Sequence, residues 1–297
     1  MTTEPMTVTP TPAYRQRSPL WFAWQRFSGN KAAITAGVIL AILILMAIFA
    51  PLITPAPPEA QLFLTEALAF PSAEHWFGVD SLGRDFYTRI VYGARVSLTI
   101  GFTAALFSVV IGIPLGALAG YFDGKTDWFI MRIIELFSVV PPLLAAMLLG
   151  ALTRGGYFTI VLIAALFGWV QVCLLVRAQI KAFREKEFVR AAQALGASPW
   201  YIIRRHLIPN SISPIIVGFV LAIPLAMMLE ASLSFLGIGV PPPTPTWGQM
   251  INEGIDFMFF YWHLALFPTA ALAITVLATT LFGDGLRDAL DPTLKGR

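Results

Sequence analysis

Six long apolar stretches constrain this chain more than any other feature of its sequence. Each has about 20 residues, which as a helix rising about 1.5 Å per residue crosses the hydrocarbon core of a bilayer, about 30 Å thick. Because hydrocarbon offers no hydrogen-bond partner to a backbone amide, each stretch is predicted to be an α-helix. Only 12% of the residues are charged, against about a quarter in soluble domains. The sequence therefore predicts an all-α membrane protein with six transmembrane helices, at residues 32–53, 96–119, 128–152, 158–176, 212–233 and 264–282.

The positions of lysine and arginine predict how these helices are oriented. Loops on the cytoplasmic side of a membrane protein carry an excess of these residues. Here the excess lies in the N-terminal segment, the connection between the second and third spans, the 178–211 loop and the C-terminal tail, so both termini are predicted to face the cytoplasm. The basic residues on that side are Arg15, Arg17, Arg26, Lys31, Lys125, Lys181, Arg184, Lys186, Arg190, Arg204, Arg205, Arg287, Lys295 and Arg297, and those on the opposite side are Arg84, Arg89 and Arg154.

The segments outside the spans differ in composition. Residues 1–31 combine a lead rich in Thr and Pro, predicted to be disordered, with an aromatic and basic stretch predicted to form a short helix at the cytoplasmic interface. The first span is predicted to be an uncleaved anchor, because it is longer than the apolar region of an export signal and five spans follow it. Residues 54–95 are predicted to cap the outer mouth, and residues 96–297 hold the rest of the core and the tail.

Several functional classes are disfavoured by the sequence. A net charge of +3 is too small to indicate nucleic acid as a partner. Gly120 and Gly124 precede Lys125 and Thr126, but fewer residues separate the glycines than a phosphate-binding loop requires. No Ser-His-Asp arrangement is present, and we expect neither catalysis nor a bound cofactor or metal in this chain. The isolated candidate ligands are Cys173, His75, His206 and His263.

The loop at 178–211 carries the most specific local pattern. Gly196 is a natural helix stop, and Ser198 followed by Pro199 predicts the N-cap and first turn of a second helix, which Pro209 is expected to close. A short helix is marginal alone, so the first helix is expected to dock on a partner. The residues that recur at helical spacing and give that first helix a small apolar face are Phe188, Ala191, Ala192 and Leu195.

This loop resembles the cytoplasmic loop of ABC-importer permeases. The family pattern is Glu-Ala-Ala, three residues, Gly, nine residues and Ile-x-Leu-Pro. The same spacing joins residues 190–192 (Arg-Ala-Ala), Gly196 and residues 206–209 (His-Leu-Ile-Pro), with Arg190 where the family has glutamate. The resemblance implies that the loop is a coupling helix seated in a cleft of an ATPase subunit. The residues that it assigns to this contact are Glu187, Arg190, Ala191, Ala192, Leu195, Gly196, Arg204, Arg205, His206 and Pro209.

Five further motifs resemble the C-type permease of dipeptide, oligopeptide and nickel importers. The resemblance implies a type I ABC-importer permease fold in a bacterial inner membrane, without nucleic acid as a partner. It also implies a half-channel that pairs with a homologous B-type permease, two ATPase subunits that bind ATP and Mg²⁺, and an external solute-binding protein. ATPase closure is implied to push on the coupling helix and tilt the attached spans. The motifs lie at residues 75–85, 92–95, 230–237, 242–248 and 283–292.

Charged and small residues inside the spans favour specific roles. Charges in a span face protein or water. Arg132 and Glu135 are predicted to pair on one helix face. Glu230 keeps two interpretations: it lines the translocation path or contacts the partner permease, or it caps the loop that follows. The small residues that predict close approach of another helix to the second span are Gly101, Ala105, Ser108, Gly112, Gly116 and Gly120.

Two other classes of membrane protein are alternatives. An ion-driven secondary transporter is expected to show internal repeats, each with a broken helix, and ionisable residues near the middle of the membrane. The sequence shows neither pattern, and a membrane-embedded enzyme lacks a catalytic set. Peptides are favoured over nickel as the substrate because the chain supplies no set of imidazole or thiolate ligands. Nickel or another small solute remains the alternative.

Overall fold

The computed structural model describes residues 19–153 and 155–290. Within these ranges the chain is helical and carries only one isolated bridge, between Val79 and Asp85, in place of β-strands. The predicted lead up to residue 18, Arg154 and the tail from residue 291 lie outside the described residues. The helices are α1 (Pro19–Gly29), α2 (Lys31–Ile48), α3 (Ala50–Ile53), α4 (Phe86–Phe122), α5 (Gly124–Val139), α6 (Pro142–Thr153), α7 (Tyr157–Arg184), α8 (Glu187–Ala194), α9 (Pro199–Ile202), α10 (Ile208–Asn210), α11 (Ile212–Phe235), α12 (Trp247–Ile255) and α13 (His263–Leu290).

The prediction of an all-α membrane protein is confirmed. The helices α2, α4, α7, α11 and α13 are each long and apolar enough to cross a bilayer, and the bent pair of α5 and α6 makes a sixth span if the two helices cross together. These helices also expose large apolar side chains, such as Val110 at 58% and Leu277 at 59%. A helix in a soluble domain turns such residues towards the core, whereas a spanning helix presents them to lipid.

The third span is not one straight helix. α5 and α6 meet at an angle of 80°, across Val140 and Pro141. Pro141 has no N–H to donate, and its ring disfavours the helical conformation for the residue before it. Val140 accordingly has an extended backbone, with φ −84° and ψ 120°. The predicted span at 128–152 is therefore two helices that point in different directions.

Three helices extend well past their predicted spans, and one of them is α13, which continues to Leu290 beyond its predicted end at residue 282. α4 begins at Phe86 rather than at residue 96, because Asp85 caps it by accepting the N–H of Thr88 on Oδ2 at 2.7 Å. The loop predicted to be external, which we call the external loop, is therefore residues 54–85, and Arg89 lies in a helix. α7 continues to Arg184, beyond its predicted end at residue 176. We call residues 185–211, which connect α7 to α11, the elbow.

α4 packs along α7 through the small residues that the sequence singles out. A Cβ atom added to Gly116 would lie 2.6 Å from the carbonyl oxygen of Cys173. A Cβ atom added to Gly120 would lie 2.7 Å from Cβ of Ile180. Both distances are shorter than van der Waals contact, so glycine is what allows the two helices to approach this closely. The prediction of close helix packing on this stripe is confirmed.

The bundle has two distinct ends. Arg184, at the end of α7, donates a hydrogen bond to the carbonyl oxygen of Tyr121 at 3.1 Å, so the ends of α4 and α7 are neighbours. We call this the elbow end, and we call the opposite end, which carries residues 54–85, the loop end. The rings of Phe27 in α1 and Phe282 in α13 are 5.4 Å apart, so α1 also lies towards the elbow end. That the elbow end faces the cytoplasm stays a prediction.

Candidate functional site

The elbow folds as the helix, glycine and helix that the sequence predicts. α8 ends in the two hydrogen bonds typical of a glycine stop: the N–H of Gly196 donates to Gln193 at 2.9 Å, and that of Ala197 to Ala192 at 3.0 Å. Gly196 has a φ of +79°, a left-handed conformation that residues with side chains disfavour. The stop therefore fixes the direction in which the chain leaves α8.

The second half of the elbow does not end at Pro209 as predicted. Ser198 caps α9 by accepting the N–H of Tyr201 at 3.4 Å, and Pro199 occupies the first turn. The chain then continues through a π-helical turn, Ile203–Leu207, into α10. Pro209 lies in the first turn of α10, where its missing N–H needs no helical partner. The helical path thus leads almost directly into α11.

One face of the elbow is anchored on the membrane helices. Val189 in α8 is fully buried. It belongs to one apolar cluster with α4, α7 and the second half of the elbow, whose other members are Ala117, Val172, Val176, Ile180, Ile202, Ile203, Leu207 and Ile215. Burial of each large aliphatic side chain stabilises the arrangement by about 1.5–3 kcal/mol. The elbow is therefore packed onto the bundle rather than suspended from it.

The other face of α8 is exposed. Leu195 is 89% exposed and Phe188 40% exposed, Ala191 is exposed, and no atom lies within 4 Å of a Cβ atom placed on Gly196. Ala192 packs partly into the buried cluster instead. The predicted apolar face is thus divided, because Phe188, Ala191 and Leu195 share one stripe of the helix while Ala192 falls beside Val189.

Arg190, which stands where the resembled pattern has glutamate, pairs with an acid of its own chain. Its Nη2 donates to Oε2 of Glu185 at 3.1 Å, and Nε of Arg184 donates to Oε1 at 3.2 Å. The hydrogen bond from Arg190, followed by that from Arg184, holds the pKa of the Glu185 carboxyl below its usual value. The Arg190 side chain remains 67% exposed, so this pair leaves most of the guanidinium accessible.

The remaining predicted contact residues lie on the surface of the elbow. Glu187, Arg204 and Arg205 are exposed, and none forms an ion pair with another residue that the structure describes. The ring of His206 lies 6.2 Å from that of Phe188 and 5.6 Å from that of Tyr201. His206 therefore connects the exposed side of α8 to α9.

At the elbow end, α7 is joined to the start of α5 by a network of ion pairs that the sequence analysis did not predict. Asp127 at the start of α5 accepts from Arg177 (Nη2, 2.6 Å) and from Lys181 (Nζ, 2.7 Å) on α7. Lys181 also donates to Asp123 at 2.9 Å, and Arg184 lies 3.4 Å from the same carboxylate. The hydrogen bond from Lys181 lowers the pKa of Asp123. The sequence does contain a signal for this network, because the three basic residues recur at helical spacing and so do the two acids.

A second network of ion pairs lies at the loop end. Oδ2 of Asp80 accepts from Nε of Arg84 at 2.6 Å and from Nη1 of Arg89 at 2.8 Å. The same Arg89 nitrogen donates to Oε2 of Glu253 in α12 at 2.7 Å, and Gln249 donates to Oε1 at 2.9 Å. Asp80, Arg84 and Arg89 are buried. Sequence reasoning placed Arg84 and Arg89 in a loop and missed this network, since Glu253 is distant in sequence.

The charges predicted inside the spans have different surroundings. Glu230 is fully buried within the chain, and its Oε1 accepts from Ser234 at 2.7 Å. Its Oε2 has no hydrogen-bond partner among the described residues. Because the Glu230 side chain is fully buried in this conformation, it is not accessible to a translocation path or to a partner permease. That Glu230 lines the path or contacts the partner permease stays a prediction. Arg132 and Glu135 pair at 2.6 Å with both side chains about half exposed, so that pairing is confirmed.

Two family models match this sequence. The model described as "Binding-protein-dependent transport system inner membrane component" matches residues 112–296. The model described as "N-terminal TM domain of oligopeptide transport permease C" matches residues 18–71.

Curated relatives match over nearly the whole chain. A glutathione transport system permease protein of Pectobacterium atrosepticum is 40% identical over 94% of this chain and 93% of its own length. A dipeptide transport system permease protein of Bacillus subtilis is 42% identical over 92% of this chain and 85% of its own. An oligopeptide transport system permease protein of the same organism is 40% identical over 92% of this chain and 89% of its own.

A solved structure shares the fold. A chain of the inward-facing MetNI methionine ABC transporter superposes with a TM-score of 0.55, over 68% of this chain and 96% of that one. Its sequence is 18% identical, so the likeness is one of fold alone.

Proposed function

The chain belongs to the family of binding-protein-dependent transport system inner membrane components, and we propose that it forms half of a translocation path for peptides in an ATP-driven importer. It is a non-catalytic permease subunit of the inner membrane. Relatives named for glutathione, dipeptide and oligopeptide transport support peptides as the substrate class. The matches cover more than nine-tenths of this chain, which supports the proposal for all of it.

The proposed importer has four further subunits. A homologous B-type permease completes the translocation path, and an external binding protein delivers the solute. Two ATPase subunits bind ATP and Mg²⁺ and supply the energy, so in this proposal the chain itself binds no cofactor. Lipid surrounds the apolar faces of the spanning helices.

The observation that carries the proposal is the exposure of Leu195. A leucine that is 89% exposed gains about 1.5–3 kcal/mol when a partner buries it. It lies on a helix whose opposite side is anchored through Val189, so a protein seated over Leu195 pushes on a supported element. We propose that an ATPase subunit is that protein and that the elbow is the coupling element.

The proposed mechanism follows from what the elbow is attached to. α7 leads into the elbow, and the helical path of its second half leads into α11. α7 also packs closely against α4 at Gly116 and Gly120, so the two helices are expected to move together. When the ATPases close on ATP, the elbow moves and carries α7, α4 and α11 with it, which turns the path from inward-facing to outward-facing. Since no residue of this chain hydrolyses ATP in the proposal, the force comes from outside it.

Leu195→Asp tests this role. The exposed site tolerates the change, so the folding stability is expected to shift by no more than about 0.5 kcal/mol. Loss of one buried leucine from the interface is worth about 1.5–3 kcal/mol, so the affinity for the ATPase is expected to fall by about 10- to 100-fold. The measurements are co-purification of the ATPase subunits and uptake of a labelled dipeptide and tripeptide into proteoliposomes that contain the whole transporter.

Leu62→Asp is the matched control, because Leu62 is 63% exposed but lies in the external loop. It is expected to leave ATPase binding unchanged. Normal uptake by Leu195→Asp would contradict the role of the elbow. Uptake that persists when both cognate ATPases are catalytically dead would contradict the whole proposal.

A further inference from the structure

Two arginines on the elbow have no acidic partner within residues 19–153 and 155–290. Arg204 and Arg205 are exposed neighbours and form no ion pair with any residue in the described ranges. The basic residues at the nearby end of α7 differ, because Arg177 and Lys181 are both paired with Asp127. Two adjacent guanidinium groups repel each other, so an acid supplied from outside the chain stabilises them.

These arginines, together with Trp200 and Tyr201, line a cavity of about 350 Å³ that is wide open to the surface. The guanidinium carbon of Arg204 lies 5.8 Å from the centroid of the Trp200 ring, which fixes one wall. Trp200 is 55% exposed and Tyr201 53% exposed. A guanidinium offers parallel N–H donors in a geometry that matches a carboxylate or a phosphate. The cavity is therefore suited to an oxyanion.

The cavity is continuous with the exposed side of α8. The ring of Tyr201, which lines the cavity, lies 5.6 Å from that of His206, and the ring of His206 lies 6.2 Å from that of Phe188. This row of three rings joins the cavity to the surface that carries Leu195. A protein that covers Leu195 and Phe188 therefore reaches the two arginines without a gap.

We propose that the cavity receives an acidic side chain of the ATPase subunit, so that the ATPase surface facing the elbow is acidic around an apolar pocket for Leu195. The inference rests on the proposed function and adds the chemistry of the partner surface. A phospholipid headgroup offers similar oxyanions. A headgroup in that cavity would leave the adjoining exposed side chains of Leu195 and Phe188 uncovered, however, whereas a protein seated on the elbow covers them as well. A folded partner can also place its acids only where the arginines are.

The test measures binding of the purified cognate ATPase to the paired permeases in nanodiscs of zwitterionic lipid. The wild-type affinity is expected to fall as NaCl rises from 50 to 500 mM, since salt screens exposed charges. Arg205→Glu is expected to weaken binding by about tenfold or more at low salt, since like charges are then opposed. Arg204→Gln with Arg205→Gln is expected to weaken it less and to flatten the salt dependence. Lys125→Glu is the matched control, an equal charge change at an exposed lysine in α5, and is expected to bind as the wild type does.

Three results would overturn this inference. The first is a wild-type affinity that is independent of salt, with Arg205→Glu binding normally. The second is an effect of Arg205→Glu equal to that of Lys125→Glu. The third is an effect of Arg205→Glu that appears only when the nanodiscs contain anionic lipid, which would assign the cavity to a headgroup. Each of these leaves the proposed function standing, whereas failure of the wild-type permeases to bind any ATPase would remove the proposed function itself.

Discussion

The charged side chains of the loop end and those of the elbow differ in burial and in pairing. At the loop end Asp80, Arg84 and Arg89 are buried and form ion pairs with one another and with Glu253, although Nε and Nη2 of Arg89 have no hydrogen-bond partner among the described residues. On the elbow Arg204 and Arg205 are exposed and have no acidic partner in the described chain. A buried, ion-paired network holds one arrangement in place, whereas exposed, unpaired charges are typical of a surface that another molecule completes. The loop end is thus structurally closed within the chain, and the difference supports the proposal that the elbow is an interface.

The largest expected effect tests the closed end. Arg89→Met leaves the carboxylate of Asp80 buried with one cationic partner fewer, and removal of one member of a buried ion pair costs several kcal/mol. We expect the free energy of unfolding to fall by about 3 kcal/mol, measured by thermal unfolding of the purified permease pair. ATPase binding, scaled to folded protein, is expected to be unchanged.

Arg190→Met is the control for that experiment. Arg190 also pairs with a carboxylate, Glu185, but both side chains are exposed on the elbow, outside the spanning helices. Exposed pairs contribute about 0–1 kcal/mol, so this variant is expected to unfold close to the wild-type temperature. Equal destabilisation by the two variants would show that burial is not what distinguishes the loop end.

The smallest expected effect concerns the ion pair between Arg190 of α8 and Glu185. The pKa of Glu185 is lowered by hydrogen bonds from Arg190 and Arg184, so the pairing stabilises the folded elbow above the ordinary pKa of a glutamate. This stabilisation is lost as the pH falls through the lowered pKa. Amide exchange over residues 187–194, corrected for its intrinsic pH dependence, is expected to quicken slightly at acid pH in the wild type. Glu185→Gln is expected to remove that change, and an unaltered pH response in the variant would contradict the pairing.

The sequence predicts the spans well, because the thickness of a bilayer fixes how long an apolar helix must be. It also predicts the glycine stop at Gly196, since that turn needs only local chemistry. The same reading placed Arg89 in a loop. An arginine near the start of an apolar stretch is interpreted as the end of the span when its ion-pair partner is unknown. The partner of Arg89 is Glu253, which lies 164 residues away in the sequence.

The face of α8 shows the other limit of sequence reasoning. Phe188, Ala191, Ala192 and Leu195 all fit one broad apolar stripe, and periodicity alone does not say which of them the chain itself covers. Packing of Val189 against α7 determines which of these side chains the chain covers, because it turns Ala192 inward and leaves Leu195 exposed. The tertiary contact, rather than the local pattern, selects the residues that remain available to a partner.

The most direct measurement is cross-linking from Leu195→Cys in the assembled transporter. Cys173 is the only native cysteine and is buried, so the introduced thiol reports on its own position. We expect Leu195→Cys to form a cross-link with an ATPase subunit and to be shielded from a water-soluble maleimide, whereas Leu62→Cys in the external loop is labelled and forms no such link. Full labelling of Leu195→Cys with no cross-link, both without nucleotide and with bound ATP, would contradict the account.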